Sequence, residues 1–159
     1  MSLSNNDVLR RFRYALNLND GNLAEAFALA KRPLERDAIA RLLKHETDPD
    51  YSECPDEILG AFLDGFIIIR RGLREEMAGK AAPASSRVNN NDILKKIRIA
   101  LQLREEDLVA IMAKAGVTVS GTEISALFRQ RNHPKFKLCG DQFLRNFLTG
   151  LETWRPSAP

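Results

Sequence analysis

The stretch NNDVLRRFRYALNL at residues 5–18 decides the fold, because a closely similar stretch, NNDILKKIRIALQL, occurs at residues 90–103. Equivalent residues are 85 positions apart, and this spacing holds without a gap until Gly65 and Gly150. About a third of the aligned positions are identical. An ungapped match of this length indicates one structural unit written twice in tandem.

Each copy is predicted to form four helices. Apolar residues in the quoted stretch follow helical spacing, and an Asn cap is expected at Asn6 and at Asn91. Second helices are predicted at residues 22–30 and 107–115, and third helices at 36–44 and 122–129. Asp56 and Asp141 are expected to cap the fourth helices, the first of which is predicted to continue to about Met77.

The predicted fold class is therefore all-α, with two tandem four-helix units related by approximate two-fold pseudo-symmetry. Unit 1 is expected at residues 5–78 and unit 2 at residues 89–155. Between them, residues 79–88 include the sequence GKAAPASSR, whose small residues, Pro and Ser are typical of a linker. A unit of about 65 residues alone buries only about 60% of the surface of its unfolded chain, so the two units are expected to pack together.

The two halves differ in charge. Residues 5–71 contain ten Lys or Arg and twelve Asp or Glu, a net charge of −2, whereas residues 89–155 contain eleven and seven, a net charge of +4. A basic second half is compatible with an acidic partner such as nucleic acid, although a solvated basic surface gives the same pattern.

Several classes of function find no support in the sequence. The phosphate-loop and dinucleotide-binding glycine patterns do not occur, and no arrangement typical of nucleophilic catalysis is visible. The two histidines, His45 and His133, do not occupy equivalent places, which argues against a repeated zinc site. We therefore expect a non-enzymatic protein without cofactor or metal. Since a leader and a membrane-spanning run are not seen, a cytoplasmic location without membrane contact is expected.

Three pairs of equivalent residues have simpler structural interpretations. Cys54 and Cys139 are expected to be small buried residues before the last helix of each unit. Arg13 and Arg98 recur within an apolar helix face and are expected to form a salt bridge or to cap a carbonyl group, with an anion site as the alternative. Asp56 and Asp141 are the candidate partners of these arginines.

A group of basic residues in unit 2 forms the candidate nucleic-acid site. Basic side chains with an interleaved aromatic residue suit phosphate contact combined with base stacking. The matching positions of unit 1 are mostly acidic or small, so the group is not duplicated. Its members are Lys95, Lys96, Arg129, Arg131, Lys135, Phe136 and Lys137.

An apolar run in unit 1 gives the alternative hypothesis. Phe66, Ile67, Ile68 and Ile69 are consecutive, so on a helix they point in all directions and need cover on more than one side. That cover comes either from unit 2 or from a second chain. The second possibility predicts a protein-interaction or scaffold module, or a homodimer, with no nucleic-acid contact.

The repeated patterns resemble a known family. The N-N-D-[VI]-L start, the P-x-[YF]-x-x-C-x-D segment and the F-L-x-G ending are similar to those of the bacterial YehS-like family. Pro49, Tyr51, Cys54 and Asp56 carry the central pattern in unit 1, and residues 134–141 repeat it. The resemblance spans residues 5–155 and implies a two-copy layout, but it implies no activity, ligand or catalytic residue.

A second resemblance concerns the fold of unit 2. Residues 98–151 look like a repressor-type helix-turn-helix domain, with residues 105–115 as supporting helix, 116–121 as turn and 122–130 as recognition helix. The turn is about two residues longer than in that motif. Phe27 and Met112 are also bulky where such motifs need a small residue for close helix packing.

Overall fold

The computed structural model of the chain describes residues 3–72 and 88–155, and these residues form eight α-helices and no strand. The prediction of an all-α fold built from two tandem units is confirmed. Unit 1 contributes α1 (Asn5–Leu16), α2 (Asp20–Leu29), α3 (Arg36–Leu42) and α4 (Asp56–Arg71), and unit 2 contributes α5 (Asn90–Leu101), α6 (Glu105–Lys114), α7 (Gly121–Leu127) and α8 (Asp141–Thr153).

The first helix of each unit begins earlier than predicted. Ser4 and Asn89 are the N-caps, so the expected caps at Asn6 and Asn91 are wrong. Asp7 completes a capping box in which its backbone N–H donates to Ser4 Oγ at 3.1 Å and its carboxylate accepts from the Ser4 N–H. The shift leaves the two asparagines inside the helix, where their amides are free for other contacts.

The ends of other helices also differ from the prediction. The second helices begin two residues earlier than expected, and the third helices end two residues earlier, at Leu42 and Leu127. Helix α4 ends at Arg71, because Gly72 turns the backbone with a φ of 82°. The expected continuation to Met77 and the predicted linker at residues 79–87 fall at positions 73–87, outside the described residues.

Arg13 and Arg98 have the carbonyl-capping role that the sequence suggested. Arg13 Nε donates to the Leu18 carbonyl at 3.1 Å, and Arg98 Nε donates to the Leu103 carbonyl at 3.0 Å. Arg13 also pairs with Asp20 at 2.9 Å. Asp56 and Asp141, the expected partners, bind elsewhere, so that assignment is wrong.

A glycine near the middle of the last helix lets it approach the second helix closely. A Cβ atom on Gly65 would lie 1.7 Å from the Ala26 carbonyl oxygen, and one on Gly150 would lie 1.9 Å from that of Ile111. Helix-turn-helix motifs need a small residue on the supporting helix. The corresponding helix of each unit, the second, has buried Phe27 or Met112 there. Close packing is therefore achieved here by the F-L-x-G glycines, on a different helix pair.

The first helix of each unit packs against the last helix of the other unit. Helix α1 packs mainly against α8 of unit 2, and α5 packs mainly against α4 of unit 1. Arg11 Nη2 donates to Thr149 Oγ1 at 3.0 Å, and the equivalent pair, Lys96 and Asp64, forms an ion pair across the same interface. These reciprocal contacts are those of an approximate two-fold arrangement, and buried side chains of both units join one continuous apolar core.

The apolar run at residues 66–69 is largely covered within the chain. Phe66 and Ile67 are 3% and 5% exposed, and Ile68 and Ile69 are half-buried. The Phe66 ring meets the Phe12 ring edge to face, with centroids 5.1 Å apart. Helix α4 thus finds its cover in α2 and α5, and little apolar surface of this run is left for a second chain. Among the described residues, no helix is long and apolar enough to cross a membrane.

Candidate nucleic-acid interface

The irregular segment before the last helix is held by the two asparagines that open each repeat. Asn6 Nδ2 donates to the carbonyls of Leu42 and Ser52, both at 2.9 Å. Its Oδ1 accepts from the Cys54 N–H at 2.9 Å and from the Tyr51 hydroxyl at 3.1 Å. All four hydrogen-bonding positions of this buried amide are therefore used, and they fix the segment against α1 and the end of α3.

Unit 2 repeats this arrangement with one bond fewer. Asn91 Nδ2 donates to the carbonyls of Leu127 and Lys137, at 2.9 and 3.0 Å, and Oδ1 accepts from the Cys139 N–H at 2.9 Å. Phe136 stands in the place of Tyr51 and has no hydroxyl to donate. Asn91 is consequently half-exposed, whereas Asn6 is 1% exposed.

The first asparagine of each repeat binds the aspartate at the start of the last helix. Asn5 Nδ2 donates to Asp56 Oδ1, and Asn90 Nδ2 donates to Asp141 Oδ1, each at 2.7 Å. The bond from Asn90, with a second from the Leu3 N–H, holds the pKa of the Asp141 carboxyl below its ordinary value. Pro55 and Gly140 are the N-caps of these helices, so the predicted capping role of the two aspartates is wrong.

Both cysteines are buried, as predicted. Cys54 and Cys139 are 2% and 6% exposed and form no disulfide. Burial, helped by the neighbouring aspartate, raises the pKa of each thiol to about 12. They therefore remain neutral thiols at ordinary pH and act as small apolar groups. Within residues 3–72 and 88–155, no three His, Cys, Asp or Glu side chains cluster as a metal site would require.

An open groove lies in unit 2 between α5, the end of α7 and the segment that follows it. Its volume is about 690 Å³. Basic side chains of Lys95, Arg129 and Arg131 line it, together with the rings of Phe128 and Phe136. Two carboxylates, Asp56 and Asp92, also reach its wall, so three cations face two anions.

The structure brings four of the seven predicted site residues together in this groove. Lys95, Arg129, Arg131 and Phe136 line it. Lys96, next to Lys95 in sequence, instead points to unit 1, pairs with Asp64 and does not line the groove. Lys135 and Lys137 are exposed beside Phe136 but do not belong to the lining of the groove.

The groove also contains residues that the sequence did not point to, among them Phe128 and Asn91. Phe128 is half-buried and lines the groove. The guanidinium of Arg98 lies over its ring, with Cζ 4.4 Å from the centroid. Asn91, which was predicted to be a helix cap, instead forms part of the wall of the groove. Leu43 of unit 1 is replaced by Phe128 in unit 2. This difference between the copies is the sequence signal that could have identified Phe128.

At the equivalent place in unit 1, the side chains bond to one another and to the backbone. Arg10, the counterpart of Lys95, donates from Nη1 to the Lys44 carbonyl at 2.9 Å and pairs through Nη2 with Asp7. Tyr51 is hydrogen-bonded to Asn6, and Glu46 stands where unit 2 has Arg131. The two units therefore share a fold but differ in shape and charge at this position.

Comparison with known proteins agrees with the repeat. A family model described as "Protein of unknown function (DUF1456)" matches residues 5–72 and again residues 90–155. The chain is 42% identical to "Uncharacterized protein YehS" of Escherichia coli (strain K12) over 146 residues, which cover 92% of each protein. No solved structure is significantly similar to the chain. Since the family model covers both units, the chain belongs to the family of proteins of unknown function named DUF1456.

Proposed function

We propose that this protein is a non-enzymatic nucleic-acid-binding protein that uses the basic face of unit 2. One observation carries the proposal: Lys95, Arg129 and Arg131 come from two separate parts of the sequence and line one groove with Phe136. Cations positioned beside a partly exposed aromatic ring combine phosphate attraction with stacking. The net charge of +4 over residues 89–155 adds long-range attraction for a polyanion.

The groove is a better candidate for this contact than a helix-turn-helix docking mode. In that mode the N-terminal residues of the recognition helix reach the bases. Helix α7 is seven residues long, and its exposed first turn contains Thr122 and Glu123. A carboxylate at that place would repel phosphate, whereas Arg129 follows the helix and faces the groove.

The polar groups of unit 2 support binding rather than catalysis. The carboxylate of Asp141 accepts hydrogen bonds from Asn90 and from the Leu3 N–H. The carboxylate of Asp92 likewise accepts from the Asn89 N–H at 3.2 Å. A general base needs lone pairs directed at a substrate. These carboxylates are used instead to hold helix starts and the junction between the units.

The proposal is tested by titrating fluorescein-labelled oligothymidylate and a DNA duplex at about 50 and 200 mM salt. Affinity should fall steeply with salt, because bound cations release counterions from the phosphates. Arg129→Glu should weaken binding strongly. Lys44→Glu makes the same charge change at the equivalent exposed position of unit 1 and should have little effect.

Absence of binding to either probe at low salt would exclude this function. The protein-interaction or scaffold alternative would then lead. It would have to use surfaces other than residues 66–69, where Phe66 and Ile67 are buried. Tyr14 and Leu138, 74% and 67% exposed, are apolar side chains that such a partner could cover.

A further inference from the structure

We infer that the groove of unit 2 accepts single-stranded rather than duplex nucleic acid, one segment per chain, and that Lys95 keeps the groove open. The inference rests on the proposed function and assigns its substrate class and its specificity-determining residue. It follows from the size of the groove, from its aromatic wall and from the two bonds that Arg10, the counterpart of Lys95, makes in unit 1.

The size of the groove suits part of a strand. Its volume of about 690 Å³ lies within the range of about 300–1,000 Å³ typical of pockets that hold small organic ligands. A nucleotide is a ligand of that class, whereas a duplex is wider than such a groove and would meet only its rim. The site therefore has room for an unpaired base and its phosphate.

The aromatic wall favours an unpaired base. Phe136 is half-buried and lines the groove, with Lys135 and Lys137 exposed on either side of it in sequence. In a duplex the faces of the bases are stacked on each other, and only their edges are accessible in the grooves. A ring within a concave surface can stack only on a base that is free of its partner strand.

The charges of the groove direct the backbone. Lys95, Arg129 and Arg131 have no acidic partner among the ion pairs of the described residues. The two lining carboxylates are engaged: Asp92 accepts from the Asn89 N–H, and Asp56 accepts from Asn5 Nδ2. The cations are thus available to phosphates and outnumber the two carboxylates, which keep their negative charge.

Unit 1 shows why Lys95 matters. Its counterpart Arg10 bridges the Lys44 carbonyl and the Asp7 carboxylate and so occupies the equivalent space. The matching groups in unit 2 are the Arg129 carbonyl and Asp92, both of which are present. A lysine at position 95 has a single ammonium group and lacks the planar fork that makes two such bonds at once. Lysine here provides charge without filling the groove.

The test uses the full-length protein and two variants that separate shape from charge. Lys95→Arg keeps the charge but should make the two bonds that Arg10 makes in unit 1 and so fill part of the groove. Phe136→Leu removes the ring and keeps an apolar side chain. We expect oligothymidylate to bind more tightly than a duplex of the same length, with one strand per chain. Each variant should weaken oligothymidylate binding about tenfold or more, as expected for the loss of one stacked base.

The controls are the same positions of unit 1. Arg10→Lys and Tyr51→Phe should leave oligothymidylate affinity unchanged, because Glu46 keeps that place acidic. Circular dichroism should show that all variants retain their helix content.

The possible failures are distinguishable. If Lys95→Arg and Phe136→Leu bind as the parent does, or the duplex binds at least as tightly, the single-strand inference is overturned. The proposed function would still stand in that case if Arg129→Glu weakens binding. If the parent binds neither probe, the proposed function and this inference both fall.

Discussion

Replacing Asn6 by Ala should destabilise the protein far more than an average surface substitution. The substitution removes an amide that donates to the Leu42 and Ser52 carbonyls and accepts from the Cys54 N–H and the Tyr51 hydroxyl. Ser52 is exposed and Tyr51 is half-buried, so water can replace their lost bonds. The Leu42 carbonyl and the Cys54 N–H belong to buried residues and would be left without a partner.

The magnitude follows from those two stranded groups. A buried polar group without a partner costs about 1–3 kcal/mol. Two of them give a loss of about 2–6 kcal/mol, which is a large share of the roughly 5–15 kcal/mol that stabilises a typical domain. Asn6→Ala should therefore bring the chain close to its unfolding threshold.

The second repeat provides a matched control. Asn91 makes the same bonds to the Leu127 carbonyl and the Cys139 N–H, but it is half-exposed and lines the groove. Water in the groove can solvate part of the carbonyl and N–H groups that lose their partner. Asn91→Ala should therefore cost roughly half as much as Asn6→Ala. Tyr51→Phe, which gives unit 1 the bonding pattern of unit 2, should cost about 0.5–1.5 kcal/mol.

The assay is urea unfolding followed by far-ultraviolet circular dichroism, with stability taken from the midpoint and slope of each transition. Fluorescence of Trp154, the single tryptophan, gives a second probe located in unit 2. The reasoning is refuted if Asn6→Ala costs less than about 1 kcal/mol, the value of one ordinary hydrogen bond. Equal losses for Asn6→Ala and Asn91→Ala would contradict the open groove in unit 2.

Further predictions concern helix packing, the reactivity and pH dependence of the thiols, and the stability cost of replacing Cys54. Gly65→Ala should cost about 1–3 kcal/mol or more in urea unfolding, because its Cβ would overlap the Ala26 carbonyl oxygen; Gly140→Ala, whose Cβ meets nothing within 4 Å, should be neutral. The thiols of Cys54 and Cys139, with a pKa of about 12 against an ordinary value of 9.0, should resist a thiol-specific disulfide reagent until the protein unfolds. Since the folded state favours the neutral thiols, their contribution to stability is complete below about pH 9 and should be lost as pH rises toward 12. Cys54→Ala should cost about 1 kcal/mol without other effect, and rapid thiol reaction in the folded protein would contradict the buried assignment.

The candidate site was only partly predictable, and Lys95 and Lys96 show why. Neighbouring residues on a helix point in directions about 100° apart, so Lys95 and Lys96 can meet different surroundings. The sequence does not say which of the two faces the other unit. A residue of unit 1 decides between them: Asp64 on α4 forms an ion pair with Lys96, and Lys95 faces the groove.

The opening asparagines illustrate the same division between local and tertiary information. Ser, Asn and Asp all favour N-cap positions, so the run from Ser4 to Asp7 offers several possible helix starts. Ser4 is the N-cap because Asn5 and Asn6 bind residues 36 to 51 positions later in the sequence. Contacts at that separation leave no periodic pattern in the sequence.

By itself, the sequence determined the all-α class, the repeat and the small buried role of the cysteines, because helical spacing and self-similarity are local properties. Only the tertiary structure decided that α1 packs on α8 and α5 on α4. The apolar faces of the two copies are alike, so the pattern of apolar residues cannot distinguish a helix of the same unit from its twin. The same packing pairs Lys96 with Asp64 and leaves Lys95 in the groove. It therefore also produces the difference between the two units at this position.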